Sequence, residues 1–423
     1  MNQNTEKRIS FYTLGCRVNQ YESEALAELA LKKGFIIVPF GEKCEVCVVN
    51  TCAVTAESTR KSSQIIRRAA KNADSVYVAG CYSELEPQKI KRLDKVEKVV
   101  GCNGKSKLFD GLEADFTEKN YELLSIATVP SKAVGFSSNC RAYIKIQDGC
   151  NGKCSYCIIP SLRGPSRSRP LEAVYDEADR LVQSGFKEIT LTGIETAAYN
   201  GAPLPELIKK IANLKGLERL RLGSLDPNCL SEKFIQVIRS EEKMMPHLHL
   251  SLQSGCSRIL RLMNRPYTAE EAEARIKKLK DAIPEVMLSA DIISAFPTET
   301  EEDFDTTLAF LKRIGFLHIH AFSYSRRPGT PAAEMSGQID EQEKKRRNAK
   351  LISLASEMKN QLLSEKLGKR CKVLIESQKN ELYYGHTEDY AEIAVISEDA
   401  LFEGDIKEVV VTKTDGNVLY GKV

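Results

Sequence analysis

The chain has 423 residues, 42% hydrophobic and 28% charged, the make-up of a globular protein with two or three domains and not of a disordered or fibrous one. A net charge of +3 excludes nucleic-acid binding by bulk charge alone and leaves it to local patches. The opening MNQNTEKRIS has no apolar signal segment and no stretch nears the roughly 20 apolar residues of a membrane span, so a cytoplasmic protein without membrane contact is expected, whose thirteen cysteines point to metal or redox chemistry rather than disulfides.

Residues 7–115 alternate short apolar strands with amphipathic helices, which predicts a small α/β domain with a mostly parallel sheet. The strands ISFYTLG, EVCVVNT and SVYVAG end at Cys16, Cys52 and Cys81. Ligands of such sheets sit beyond the carboxyl ends of the strands, yet three buried core cysteines explain the pattern equally well. The helix after Cys52 is basic, with Arg60, Lys61, Arg67, Arg68 and Lys71. Cys44 and Cys47 form a C-x2-C that begins a strand, at the edge opposite the triad, and read as structural. Cys102 follows the strand of KVVGC and is unassigned.

Residues 136–366 repeat a strand-then-helix unit six times, through AYIKIQ, EITLTG, LERLRLGS, HLHLSLQ, VMLSADIISAF and HIHAFSY. Six units fall short of a closed eight-fold barrel, so a partial (β/α)6 barrel with a lateral gap is expected. Directly after its first strand comes GCNGKCSYCIIP, with Cys150, Cys154 and Cys157 in a C-x3-C-x2-C arrangement. Thiolates suit iron–sulfur clusters and zinc. Structural zinc takes four protein ligands, and no partner C-x2-C or H-x3-H follows. Three thiolates leave one iron of a four-iron cluster open to a chelating ligand, a position that the amino and carboxylate groups of S-adenosylmethionine can take. Gly149 and Gly152 let the loop curl.

At the ends of later strands, Gly223, Ser224, Ser251, Gln253 and Asp291 are candidates for the mouth where such barrels do chemistry; Cys256 reads as packing. His247/His249 and His318/His320 alternate, putting two histidines on one face of each strand; hydrogen-bonded histidines are the favoured reading and a metal site the other. Arg163, Arg167 and Arg169 follow the thiol loop and Arg326 and Arg327 end the sixth strand, so both groups are expected to contact RNA phosphates. From 367 to 423 short β runs predict a small five-stranded barrel. Its acidic excess weakens any charge argument for RNA there.

TLGCRVNQYES (13–23), NTCAVTAES (50–58), VAGCY (78–82), HLSLQSGC (249–256), MNRPYT (263–268), FPTETEEDF (296–304) and YSRRPGTPAA (324–333), with the cysteine loop, resemble the radical S-adenosylmethionine superfamily. Over nearly the whole chain they resemble its methylthiotransferases. The first motif is most similar to the MtaB branch, which converts N6-threonylcarbamoyladenosine at tRNA position 37 to its 2-methylthio derivative.

The resemblance implies two 4Fe-4S clusters, the second held by Cys16, Cys52 and Cys81. It implies S-adenosylmethionine both as radical source and as methyl donor, with an adenine C–H bond activated and sulfur delivered from the second cluster. It places a Gly-Gly-Glu-like segment at Gly193 and Glu195 for the methionine amino group, although close relatives often carry His or Asn at the Glu195 position. It makes the terminal domain TRAM-like, tRNA the substrate and a flavodoxin or ferredoxin the electron donor, with the sulfur donor open. The alternatives are the branches acting on isopentenyladenosine in tRNA or on a ribosomal protein, and a non-catalytic RNA-binding protein with structural metal.

Overall fold

The computed structural model describes residues 7–110 and 140–423; the domain limits expected at 115 and 136 lie outside the described residues. In the first domain β1 (Arg8–Thr13), β2 (Ile36–Val38), β3 (Cys44–Thr51), β4 (Ala73–Gly80) and β5 (Val96–Val99) form a parallel sheet in the order β2-β1-β3-β4-β5. Helices cover both faces, which is why the central strands are apolar at nearly every position. Val46 and Val48 pack with Leu26, Ala27 and Ala30 of α1 (Arg17–Lys32), whereas Cys47 and Val49 pack with Ile66 and Ala69 of α2 (Ala56–Ala69). Cys44 and Cys47 are buried where β3 begins. Two short helices, α3 (Cys81–Leu85) and α4 (Pro87–Lys91), lead into β5.

The second domain begins at β6 (Arg141–Lys145). A short antiparallel pair, β7 (Gln147–Asp148) and β8 (Arg167–Ser168), frames the thiol loop and α5 (Ile159–Arg163). Then come α6 (Leu171–Gln183), β9 (Glu188–Thr192), α7 (Leu204–Ala212), β10 (Arg219–Leu222), α8 (Glu232–Ser240), β11 (His247–Gln253), α9 (Ser257–Leu262), α10 (Ala269–Ala282), β12 (Met287–Ser294), α11 (Glu301–Ile314), β13 (His318–Ser323), α12 (Pro331–Glu334) and α13 (Glu341–Ser364). The six long strands run parallel in two groups, β10-β9-β6 and β11-β12-β13, joined by the bridges Leu220–Met244 and Leu225–Leu250. This is the partial barrel expected from the six-fold repeat.

Alternation along these strands sets the character of the chamber. Ala142, Ile144, Ile189, Leu191, Leu220, Leu222, Leu248, Leu250, Ala290 and Ile292 enter the core under the helices. The residues between them face inward and are mostly polar.

The third domain is a closed barrel of β14 (Arg370–Lys379), β15 (Leu382–Thr387), β16 (Glu392–Ile396), β17 (Ile406–Thr414) and β18 (Leu419–Lys422), in the order β14-β15-β16-β18-β17. It docks at the amino ends of the large barrel's strands. Arg219 donates to the carbonyls of His386 (3.1 Å) and Lys372 (2.8 Å), and Arg221 to those of Glu388 and Thr387 (3.0 Å each). The Tyr390 ring stacks on His247 and His386, with centroids 4.7 Å apart in both cases. Buried Glu188 gathers Arg141, Arg219 and Arg221; although burial opposes its charge, the three guanidiniums bring its carboxyl down to about 2. The small barrel therefore closes the floor of the chamber, opposite the thiol loop. No helix among the described residues is long and apolar enough to cross a membrane.

Candidate active site: two thiol triads and the chamber between strand ends

The thiol loop leaves the carboxyl end of β6 and is shaped by backbone. Gly149 has φ +70°, and a Cβ there would meet Pro165 O and, at 2.7 Å, Gly164 O; only glycine fits. Gly152 has an ordinary φ, and what it contributes is room: a Cβ would lie 3.1 Å from Cys150 Sγ, while its N–H donates to that sulfur at 3.2 Å. The segment 262–265 braces the loop from below. Ser155 N–H and Oγ donate to Met263 O (3.0 Å) and Leu262 O (2.7 Å), and Asn264 Nδ2 donates to Lys153 O (2.6 Å). Arg265 donates to Cys154 Sγ (3.3 Å), Asp226 (2.5 Å) and Ser251 O (3.1 Å).

Burial raises the thiol of Cys150 and pushes that of Cys157 up to about 12. Such thiols ionise at neutral pH only when a metal takes the proton's place. Three soft donors on one loop, with a backbone N–H and a guanidinium aimed at two of their sulfurs, fit an iron–sulfur cluster, whose net charge is negative.

The second triad follows from strand order. β1, β3 and β4 are neighbours and parallel, so Cys16, Cys52 and Cys81, each just past its strand, share one sheet edge. Gly15 brings the first two together: a Cβ on it would lie 3.2 Å from Cys52 Sγ. A fourth thiol joins them, since β5 lies beside β4 and Cys102 Sγ is 3.6 Å from Cys81 Sγ. That contact lowers the Cys81 thiol to about 6, whereas burial raises Cys52 to about 11 and also raises Cys16. The donor set again fits an iron–sulfur cluster.

Between the triads lies a buried ionic network. Arg163, at the end of α5, donates to Glu22 of α1 (3.1 and 3.2 Å), Asp148 (2.9 Å) and Asn19 Oδ1 (2.5 Å). Lys105 and Lys145 reach the same Glu22, at 2.5 and 3.0 Å. Burial pushes the Glu22 carboxyl up, but Arg163, Lys105 and Lys145 together hold it well below the usual range. Arg163 Nε has no partner among the described residues, and the guanidinium lies close enough to Cys81 to help lower its thiol and to Cys16 to oppose the rise of its thiol.

This network corrects the expectation for the arginines after the loop. Arg163 is fully buried. Arg169 is 5% exposed and pairs with Glu177 (2.7 Å) and Tyr21 (3.1 Å). Arg167 turns back on Asp148 (3.3 Å) and on the Arg163 carbonyl (2.7 Å). Arg327 is also buried, against Thr59 Oγ1 (3.3 Å). Arg163 and Arg169, paired in the interior, are not placed to meet a phosphate. Of the five arginines expected on RNA, Arg326 alone is exposed.

At the rim, Glu195 lies beside Cys150 and the Asp226–Arg265 pair. It accepts from Asp226 N–H (3.2 Å) and Ala197 N–H (3.4 Å), and burial with the nearby Asp226 raises it to about 7. Gly193 packs on Gln147, whose Oε1 accepts Glu195 N–H at 3.0 Å. Ser224 accepts Thr196 N–H through its carbonyl at 3.3 Å. Gln253 ends β11 at φ +69°, a strained turn into the rim. Asp291 stands apart from these, in the body of β12 between His249 and His320. The sequence reading missed Gln147, Asp226, Arg265 and Glu22. The motif MNRPYT held the signal for Arg265 and TLGCRVNQYES that for Glu22; nothing local marked Gln147 or Asp226.

Residues 144–311 match the Radical SAM superfamily and residues 8–101 the uncharacterized protein family UPF0004. The chain is similar to the threonylcarbamoyladenosine tRNA methylthiotransferases MtaB of Bacillus subtilis (35% identity, 91% of this chain, 89% of that one) and Aquifex aeolicus (36%, 91% and 96%). It is also similar to the tRNA-2-methylthio-N(6)-dimethylallyladenosine synthase of Thermodesulfovibrio yellowstonii (33%, 97% of each). Among solved structures, the radical S-adenosylmethionine methyltransferase TsrM of Kitasatospora setae shares the fold, with a TM-score of 0.58 at 15% identity over 78% of this chain and 77% of that one.

Proposed function

The chain belongs to the radical S-adenosylmethionine tRNA methylthiotransferases, of the MtaB type, and from that premise we propose that it methylthiolates N6-threonylcarbamoyladenosine at tRNA position 37, on adenine C2. The observation that carries this reading is the pairing of two thiol triads, at the strand ends of two domains, across one buried network. Cys150, Cys154 and Cys157 would hold a four-iron cluster, which would supply the single electron for reductive cleavage of S-adenosylmethionine.

The chain's own residues do the rest by position. Glu195, oriented by the acceptor Gln147 Oε1 at its N–H, stands beside Cys150 to hold the methionine amino group, and Ser224 and Gln253 line the same rim. Arg265 donates to Cys154 and fixes the loop. Cys16, Cys52 and Cys81 would hold a second cluster, which would supply the sulfur. Glu22, Arg163 and Asp148 set the distance between the two sites. The polar chamber admits the nucleoside and the floor domain shuts out water from beneath. A flavodoxin or ferredoxin is the class of electron donor this chemistry needs.

The test is anaerobic reconstitution with iron and sulfide, then dithionite and S-adenosylmethionine, with 5′-deoxyadenosine assayed. Roughly eight irons per chain are expected, falling to roughly four without product when Cys150, Cys154 and Cys157 are all alanine. Wild-type iron near four removes the second cluster and the sulfur-delivery half of the reading. The similarity to the dimethylallyladenosine synthase favours a second reading, in which isopentenyladenosine is the substrate. Mass spectrometry of tRNA nucleosides from a deletion strain separates the two, since each activity leaves a different 2-methylthio nucleoside missing.

A further inference from the structure

Neither thiol triad uses the histidines of the chamber. His249 of β11, Asp291 of β12 and His320 of β13 stand on three adjacent parallel strands. All three point inward, because their neighbours Leu248, Leu250, Ala290 and Ile292 enter the helix-covered core, with Ile319 and Ala321 packed against it. His249 Nε2 is 3.2 Å from one oxygen of Asp291, and His320 Nδ1 is 3.1 Å from the other. The two rings are 5.0 Å apart between centroids.

One ligand atom from each residue lies within 4.8 Å of the other two, the sole group of this kind among the described residues. Ligands about 2.1 Å from a common ion are about 3.0 Å apart in an octahedron and about 3.4 Å apart in a tetrahedron. The separations of 3.2 and 3.1 Å, each to its own oxygen of Asp291, are of that size and suit a carboxylate that binds through both oxygens.

The charge is right for a cation. Asp291 is a carboxylate that meets one ring nitrogen on each of its two oxygens. A carboxylate at the centre of the group repels an anionic ligand. Two imidazoles and a carboxylate suit zinc, iron(II), cobalt or nickel better than magnesium or calcium, which prefer an all-oxygen shell. Access is open too: the side chains of His249, Asp291 and His320 are 14%, 24% and 58% exposed. Beneath them His247 Nε2 and Ser289 Oγ are hydrogen-bonded at 2.8 Å, which stiffens the row of strands carrying the ligands.

We propose that His249, Asp291 and His320 form a mononuclear site for a divalent first-row transition metal, distinct from both thiol triads, with its remaining coordination positions open to the chamber. Water fills those positions at rest, and oxygen atoms of a bound substrate can replace it.

The test is an anaerobic titration of the iron–sulfur-loaded protein with cobalt(II), which reports its ligands by colour. The site predicts one equivalent per chain, with visible ligand-field bands and no thiolate charge-transfer band. Asp291→Asn and His320→Ala should each weaken uptake by about 10-fold or more. The exposed position of His320 makes misfolding a poor explanation for that loss, and unchanged iron content in the variant checks it. No stoichiometric uptake overturns the site, leaving two hydrogen bonds to a carboxylate. So does a thiolate charge-transfer band, or uptake that neither substitution changes.

Discussion

Gly149 shows how much of the thiol loop was legible from residue types. A C-x3-C-x2-C run after a strand signals cluster binding, and glycines inside it signal a tight path, but which glycine is indispensable depends on what lies across the loop. Pro165 O and Gly164 O lie across from Gly149. Gly149→Ala should therefore cost the iron that Cys150, Cys154 and Cys157 hold and abolish 5′-deoxyadenosine formation, and under the two-cluster proposal iron per chain falls by half. Full iron content in that variant would contradict the geometry. Arg163 is the opposite lesson. An arginine in a loop beside an active site reads as a phosphate contact, and although Asp148 stands 15 positions before it, the partner that ties it to the other domain, Glu22, is 141 positions away. Removing the arginine leaves Glu22 to Lys105 and Lys145 and Asp148 to Lys145 and Arg167 but takes the donor from buried Asn19 Oδ1, so Arg163→Ala should destabilise the fold by about 1–3 kcal/mol, as read by urea denaturation, with no change in the salt dependence of tRNA binding.

At the scale of elements, periodicity carried the reading well. Six strand-and-helix units and five short β runs are regular signals, and β6, β9 to β13 and β14 to β18 lie where those signals put them, whereas the short pair β7 and β8 carried no such signal. Docking left no such signal. The first residues of the barrel strands, among them Arg141, Arg219, His247 and His318, read as ordinary alternating polar positions, and the structure uses them to seat another domain. This interface makes a prediction for acid. Burial, with Lys359 nearby, lowers His318 to about 4, and burial together with Arg221 drives His247 well below its usual value. Above pH 6.5 both are neutral whether the chain is folded or not, and their contribution to stability is complete. As pH falls from 6.5 towards 4 the unfolded chain binds protons that the folded chain refuses, so stability drops, by on the order of 2 kcal/mol for His318. His318→Gln should flatten the pH dependence of unfolding in that window; an unaltered slope would mean that His318 titrates freely in the folded protein.

Across the whole molecule, a tRNA needs a basic surface that continues to the chamber, and the loop after β13 supplies the link. Ser325 Oγ accepts Ala56 N–H at 2.9 Å and Arg327 donates to Thr59, so the loop rests on the first turn of α2 and holds exposed Arg326 beside that helix. Arg60, Arg67 and Lys71 follow at helical spacing on the exposed side of α2 and just beyond it, while Ser62, Ile66 and Ala69 face the core. Arg60 is already paired with Glu57 at 2.7 Å, which leaves Arg67, Lys71 and Arg326 as the better phosphate ligands. Replacing all three by alanine should reduce the slope of log affinity against log salt by about 1 per phosphate no longer neutralised, up to about 3, with weaker binding of every tRNA alike. Iron content and radical formation from S-adenosylmethionine should not change, because none of the three touches either triad. A slope equal to that of the wild type would move the RNA surface off α2.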